Sequence, residues 1–72
     1  MKVFEKFEGF IEYQRKLLAK ATDFSTCWTL MAQAYGAGYM LTDTDEEAKM
    51  AELYIKFQKE CENKIEELNK NV

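Results

Sequence analysis

Histidine is absent from all 72 residues. Its absence removes the commonest general base and the commonest metal ligand, and it rules out Ser–His and Cys–His nucleophile pairs within one chain. Proline is absent too, and glycine occurs only three times. Both residues break helices, so their scarcity favours a helical protein. Cysteine is confined to Cys27 and Cys61, short of the usual four-ligand zinc set. No repeat, low-complexity tract or linker interrupts the chain. The opening "MKVFEKFEGF" mixes acids among its apolar residues and lacks the apolar core of a secretory signal. A cytoplasmic, reducing location is therefore expected, with both cysteines as thiols.

Charge is missing locally rather than globally. "FSTCWTLMAQAYGAGYML", residues 24–41, runs for eighteen positions without a formal charge, although 23 of the 72 residues are charged. That length meets the threshold for a membrane span. Ser25, Thr26, Thr29, Gln33 and two glycines dilute its hydrophobicity, however, and no Lys or Arg flanks it closely. The Ala32–Gly36 spacing resembles the close packing of a helix-turn-helix. The recognition helix fails to follow, because the next segment is "TDTDEE", which repels phosphates. A helix covered by protein on most sides is what remains.

What is present is periodic. Val3, Phe4, Phe7, Phe10, Ile11, Gln14, Leu17, Leu18 and Ala21 recur at three- and four-residue steps, predicting a helix over 2–21. "TDFST" breaks it, with Asp23 or Ser25 able to cap a second helix over 25–41. Thr44 and Glu47 have capping-box spacing. Beyond them Ala51, Tyr54, Gln58, Cys61, Ile65, Leu68 and Val72 hold a 3-4 alternation, predicting a third helix over 45–70. The fold class expected is all-α, one domain over 1–72, an antiparallel bundle of three helices. A chain this short hides only about 60% of its unfolded surface, so association would supplement its core.

Short connections make successive helices antiparallel. Residue i of the first helix should then lie near 45 − i of the second and 43 + i of the third. This brings Gln14 level with Gln58, and each is the lone polar residue in its stripe. A buried Gln14–Gln58 hydrogen bond is therefore expected, since an unpaired buried amide costs ~1–3 kcal/mol. Cys27 and Cys61 fall opposite each other, close enough for a disulfide to be conceivable, although small buried hydrophobes explain them as well.

The second helix shows two apolar faces. Phe24, Cys27, Trp28, Met31, Tyr35 and Gly38 form one, which its neighbours would cover. Leu30, Ala34, Ala37 and Leu41 form the other, with nothing left to cover it. The third helix narrows to Cys61, Ile65, Leu68 and Val72, and its end should outrun the first. An interface is accordingly expected at Leu30, Ala34, Ala37 and Leu41, then Ile65 and Leu68, making a homodimer or higher oligomer.

Chemistry is otherwise hard to find. Glu8/Glu12 and Glu62/Glu66 lack the Glu-x-x-His of a di-metal site. "DTDEE" departs from a calcium loop at Ala48 and Tyr54, and "GAG" has neither the lysine nor the strand of a phosphate loop. No cofactor or metal is expected. Segment charges of +2 over 1–21, −1 over 22–41 and −4 over 42–72 make the third helix acidic. Its acids Asp43, Glu46, Glu47, Glu62 and Glu67 could imitate nucleic acid and block a basic cleft. Interspersed Glu–Lys pairs at i, i+4 argue for an ordinary wet face instead. Trp28, Tyr35 and Tyr39 could hold a small planar ligand at an oligomer interface. The expectation carried forward is a non-enzymatic protein–protein interaction module (an adaptor, regulatory or assembly protein) working as an oligomer, with no direct nucleic-acid or membrane binding. The rival is an acidic inhibitor of a nucleic-acid-binding enzyme.

Overall fold

A computed structural model describes residues 3–40 and 46–70. They form three α-helices, α1 (Val3–Ala19), α2 (Phe24–Met40) and α3 (Glu47–Lys70). All three pack against one another, so the chain is an all-α three-helix bundle. The helices expected at 2–21, 25–41 and 45–70 are each present, with ends within two residues of the sequence reading.

Each described boundary has a local cause. At the end of α1 the chain tightens, with Lys20 N–H donating to Leu17 O at 3.1 Å and Ala21 N–H to Leu18 O at 3.0 Å. These shorter bonds satisfy carbonyls that the helix leaves open. Asp23, rather than Ser25, caps α2: its Oδ1 accepts from Thr26 N–H at 2.7 Å. That bond holds the Asp23 carboxyl below the usual carboxylate range. The first turn of α3 is closed by Met50 N–H donating to Glu46 O at 3.0 Å. Thr44, the expected partner of Glu47 in a capping box, lies outside the described residues.

The start of α1 is capped from the far side of the sequence. Phe4 N–H donates to Glu46 Oε2 at 2.7 Å, across 42 residues. A helix exposes free N–H groups and the positive end of its dipole at this point, and a carboxylate answers both. Glu46 thus ties the beginning of α3 to the beginning of α1.

Cross-helix pairs fix the topology as up-down-up. Gln14 meets Leu30 and Phe7 meets Gly38, so α1 and α2 run antiparallel. Tyr35 meets Tyr54 and Cys27 neighbours Cys61, so α2 and α3 run antiparallel. Phe4 with Glu46 and Arg15 with Glu60 make α1 and α3 parallel. The body measures 43 × 17 × 14 Å. Its long axis exceeds the ~36 Å that the 24 residues of α3 span at ~1.5 Å each.

The core draws on all three helices. Phe7, Ile11 and Leu18 come from α1, Cys27, Leu30, Met31 and Ala34 from α2, and Met50, Phe57 and Cys61 from α3. Gly38 has a particular part in it. A Cβ there would stand 3.3 Å from Cε1 and Cζ of Phe7, so the missing side chain admits that ring onto the α2 backbone.

One polar group enters this core. Gln14 is 1% exposed, and its Nε2 donates to Gln33 Oε1 at 3.0 Å and to Leu30 O at 3.4 Å. This corrects the expected Gln14–Gln58 pair: Gln14 turns to α2, while Gln58 is half-buried on α3. The reason is rotational. Level-matching gives height along the bundle but not the direction in which a long amide leans, and Gln33 lies within two residues of the height predicted for Gln14 on α2.

Candidate functional site

Sequence periodicity predicts two apolar faces on α2, and the core draws on both, taking Cys27 and Met31 from the first and Leu30 and Ala34 from the second. Leu30 is 4% exposed and Ala34 is fully buried, so both point into the core. Ala37 is half-buried and packs against the same cluster. Leu41 lies outside the described residues. The expected interface at Leu30, Ala34 and Ala37 is thus corrected, because this face is what α1 and α3 cover. The physical cause is size: helix axes approach to about 8–10 Å only where the intervening side chains are small enough to interlock. Ala34 and Gly38 present little bulk to the neighbouring helices, and at Gly38 the Phe7 ring lies against the α2 backbone.

The other expected interface residues are Ile65 and Leu68. Both are half-buried and packed against the core cluster, instead of projecting as a bare strip. The body of α3 remains against its neighbours at this level.

The uncovered apolar side of α2 is aromatic. Phe24 is 39% exposed, Trp28 57%, Tyr35 63% and Tyr39 76%. At 100° per residue these four fall within about 60° of one another around the helix. No formal charge occurs anywhere along α2. Aromatic side chains of this size dominate interface energetics, and Tyr and Trp combine an apolar body with a polar tip suited to a boundary. The three aromatics singled out from sequence, Trp28, Tyr35 and Tyr39, therefore share one outward stripe. Phe24 and Ile55, the latter 60% exposed on α3, were not singled out. Their signal would have been the preference of bulky rings and branched chains for whichever flank the small residues leave open.

Tyr35 anchors the stripe to α3. Its ring meets Tyr54 edge-to-face, with centroids 5.6 Å apart and planes at 70°. Burial pushes the Tyr54 phenol above its ordinary pKa, keeping it neutral over a wider pH range. Beside this pair lies an open groove of about 280 Å³, bounded by Phe7, Tyr35, Tyr39, Met50, Tyr54 and Ile55. Trp28 belongs to the stripe and not to the groove. The groove is chiefly apolar, with Glu47 the charged group on its rim.

The remaining polar groups serve the fold. Arg15 Nε donates to both Oε1 and Oε2 of Glu60 at 3.0 Å, and its Nη2 lies 2.9 Å from Oε1. Arg15 also pairs with Glu12. The hydrogen bond to Glu60, then its charge, raises the Arg15 pKa. Glu60 has Lys64 four residues further along α3. It reaches instead to α1. Glu66 does pair with Lys70, loosely at 3.9 Å. Among the acids expected to imitate nucleic acid, Glu46 caps α1, Glu47, Glu62 and Glu67 are exposed, and Asp43 lies outside the described residues.

Cys27 and Cys61 are both free thiols with no exposure. Burial first, and then the neighbouring Cys27, push the Cys61 pKa up to about 11. Burial likewise raises that of Cys27. The thiolate is the nucleophile and the metal ligand, so both groups are held in their inert form. Among the described residues, no group of three or more acidic or thiol side chains could hold a metal ion. Nor is any described helix long and apolar enough to cross a membrane. What the aromatic side of α2 offers is an apolar surface. No family model, no curated protein and no solved structure matches the chain.

Proposed function

We propose that this chain is a non-enzymatic protein–protein interaction module that works as an oligomer in a reducing, cytoplasmic setting. One observation carries the reading: Phe24, Trp28, Tyr35 and Tyr39 line one exposed side of a helix that bears no charge. Exposed apolar patches rimmed by polar residues mark interaction sites. Here α1 and α3 supply that rim, with Lys and Glu on their wet faces. Both cysteines as buried thiols suit the reducing compartment.

The test is a concentration series by light scattering on the wild type, Trp28→Lys and Glu62→Lys/Glu67→Lys. Association is expected for the wild type and the acidic-face variant, and should be lost with Trp28→Lys. A wild type that stays monomeric to millimolar concentration overturns self-association. If only the acidic-face variant loses partner binding, the acidic-inhibitor reading takes its place.

A further inference from the structure

The positions of the exposed aromatics have a symmetry that the fold of one chain does not require. Counting along α2, Phe24 and Tyr39 lie equally far from the point between residues 31 and 32, and so do Trp28 and Tyr35. The spacing reads 4, 7, 4 in both directions. A two-fold interface is isologous: one patch must complement itself when turned around the axis. Two copies of α2 set antiparallel, with the axis at residues 31–32, would bring Phe24 opposite Tyr39 and Trp28 opposite Tyr35. Ala32, small and exposed, would stand at the crossing, where the backbones come closest.

Three further observations bear on the occupant. First, each copy carries a net charge of −3, yet α2 has none. A second copy can therefore approach this side without juxtaposing like charges, while a charged partner would find no counter-charge on the helix. Second, a large aromatic side chain buries roughly 150–250 Å². At 39%, 57%, 63% and 76% exposure, the four leave roughly 350–590 Å² uncovered per copy. With Ile55, Ala32 and their surroundings from both copies, the total reaches the lower end of the ~1,200–2,000 Å² that stable interfaces bury. Third, the groove edged by Tyr39 and Ile55 opens at the end of the stripe that would receive Phe24 of the second copy. Its volume of about 280 Å³ exceeds the ~150 Å³ apolar cavity that takes up benzene.

We propose that the partner of this surface is a second copy of the same chain, joined by antiparallel α2–α2 packing about a two-fold axis at residues 31–32. The inference rests on the self-associating reading above and adds its register. Trp28, stacked against Tyr35 of the other copy near the axis, is the expected centre of the binding energy.

Two measurements separate the register from association itself. Sedimentation equilibrium gives the dimer constant, with Trp28→Ala expected to weaken it roughly 30-fold or more while far-UV circular dichroism stays helical. Oxidative cross-linking then reads the register, using Ala32→Cys and, separately, Ser25→Cys, in the full chain. Ala32→Cys should link rapidly to its own counterpart. Ser25→Cys should not, since in this register the two copies of residue 25 lie ~20 Å apart along the axis at ~1.5 Å per residue. A dimer that links through Ser25 and not Ala32 overturns the register and leaves self-association standing. A protein that remains monomeric at millimolar concentration, or a dimer indifferent to Trp28→Ala, overturns the α2 interface altogether, the former leaving this side to a different protein.

Discussion

Gln14 on α1 and Gln33 on α2 are joined by a hydrogen bond of 3.0 Å from Nε2 to Oε1, which carries a buried amide out to the edge of the core. Gln33 is itself exposed. The pair lets one polar group enter an apolar interface without an unsatisfied donor. Among the described residues no buried side-chain nitrogen or oxygen lacks a partner.

Removing Gln33 should be mild and removing Gln14 severe. Gln33→Ala takes away one acceptor, at a cost of about 0.5–1 kcal/mol. Gln14→Ala leaves a cavity in the core, costing about 2–3 kcal/mol. Urea unfolding of the two single variants and the double variant should give a coupling of at least ~0.5 kcal/mol. The same cycle with Gln58 in place of Gln33 should give none.

The Arg15–Glu60 pair should be worth little, but measurably so. It is bidentate and joins two helices, which favours it. Its side chains remain 25% and 36% exposed, which screens it. Arg15→Met is expected to lower stability by about 0.5–1 kcal/mol at low ionic strength. The difference should shrink in 1 M salt, where the Debye length falls to ~3 Å. A salt-independent loss would assign the effect to packing of the Arg15 stem instead.

The three glycines should answer differently to alanine. Nothing lies within 4 Å of a Cβ placed at Gly9 or Gly36, so Gly9→Ala and Gly36→Ala should each stabilise by about 0.5–1 kcal/mol. Gly38→Ala meets the Phe7 ring at 3.3 Å. Its helix-propensity gain is opposed by displacement of that ring, and Gly38→Val should be clearly destabilising. Thermal unfolding of the four variants orders them.

Stability should decline at alkaline pH. The Cys61 pKa rises from an ordinary 9.0 to about 11 in the folded state, so folding holds the proton more tightly than the unfolded chain does. The stabilisation is complete below pH 9 and is lost as pH climbs through about 11. Cys27 and Tyr54 shift in the same direction, also through burial. Denaturant midpoints measured between pH 7 and 11 should fall over the upper half of that range. At neutral pH an aromatic disulfide reagent should modify both thiols slowly until the protein is unfolded. Rapid modification would show that the core opens readily.

Much of the architecture could be read from the chain alone. Apolar residues at three- and four-residue steps mark a helix because the backbone turns 100° per residue, and this holds whatever the helix packs against. Asp23 announced the start of α2 in the same local way, by placing an oxygen within reach of free N–H groups. Even heights along the bundle followed, since short connections leave consecutive helices no choice but to fold back. Cys27 and Cys61 share a level for that reason.

Rotation about each axis was not legible. On α2 the packed bundle divides the first candidate face, turning Cys27 and Met31 inward with Leu30 and Ala34 and leaving Trp28 and Tyr35 outside with Tyr39. The small residues Ala34 and Gly38 face the other helices, and Gly38 admits the Phe7 ring onto the α2 backbone. The reach of long side chains was settled in the same way: Gln14 to Gln33, Arg15 to Glu60 and Glu46 to Phe4 N–H each join residues distant in sequence. Local pattern therefore determined which segments are helical and in what order they stack. Three-dimensional packing alone decided which apolar side chains folding buried and which it left exposed.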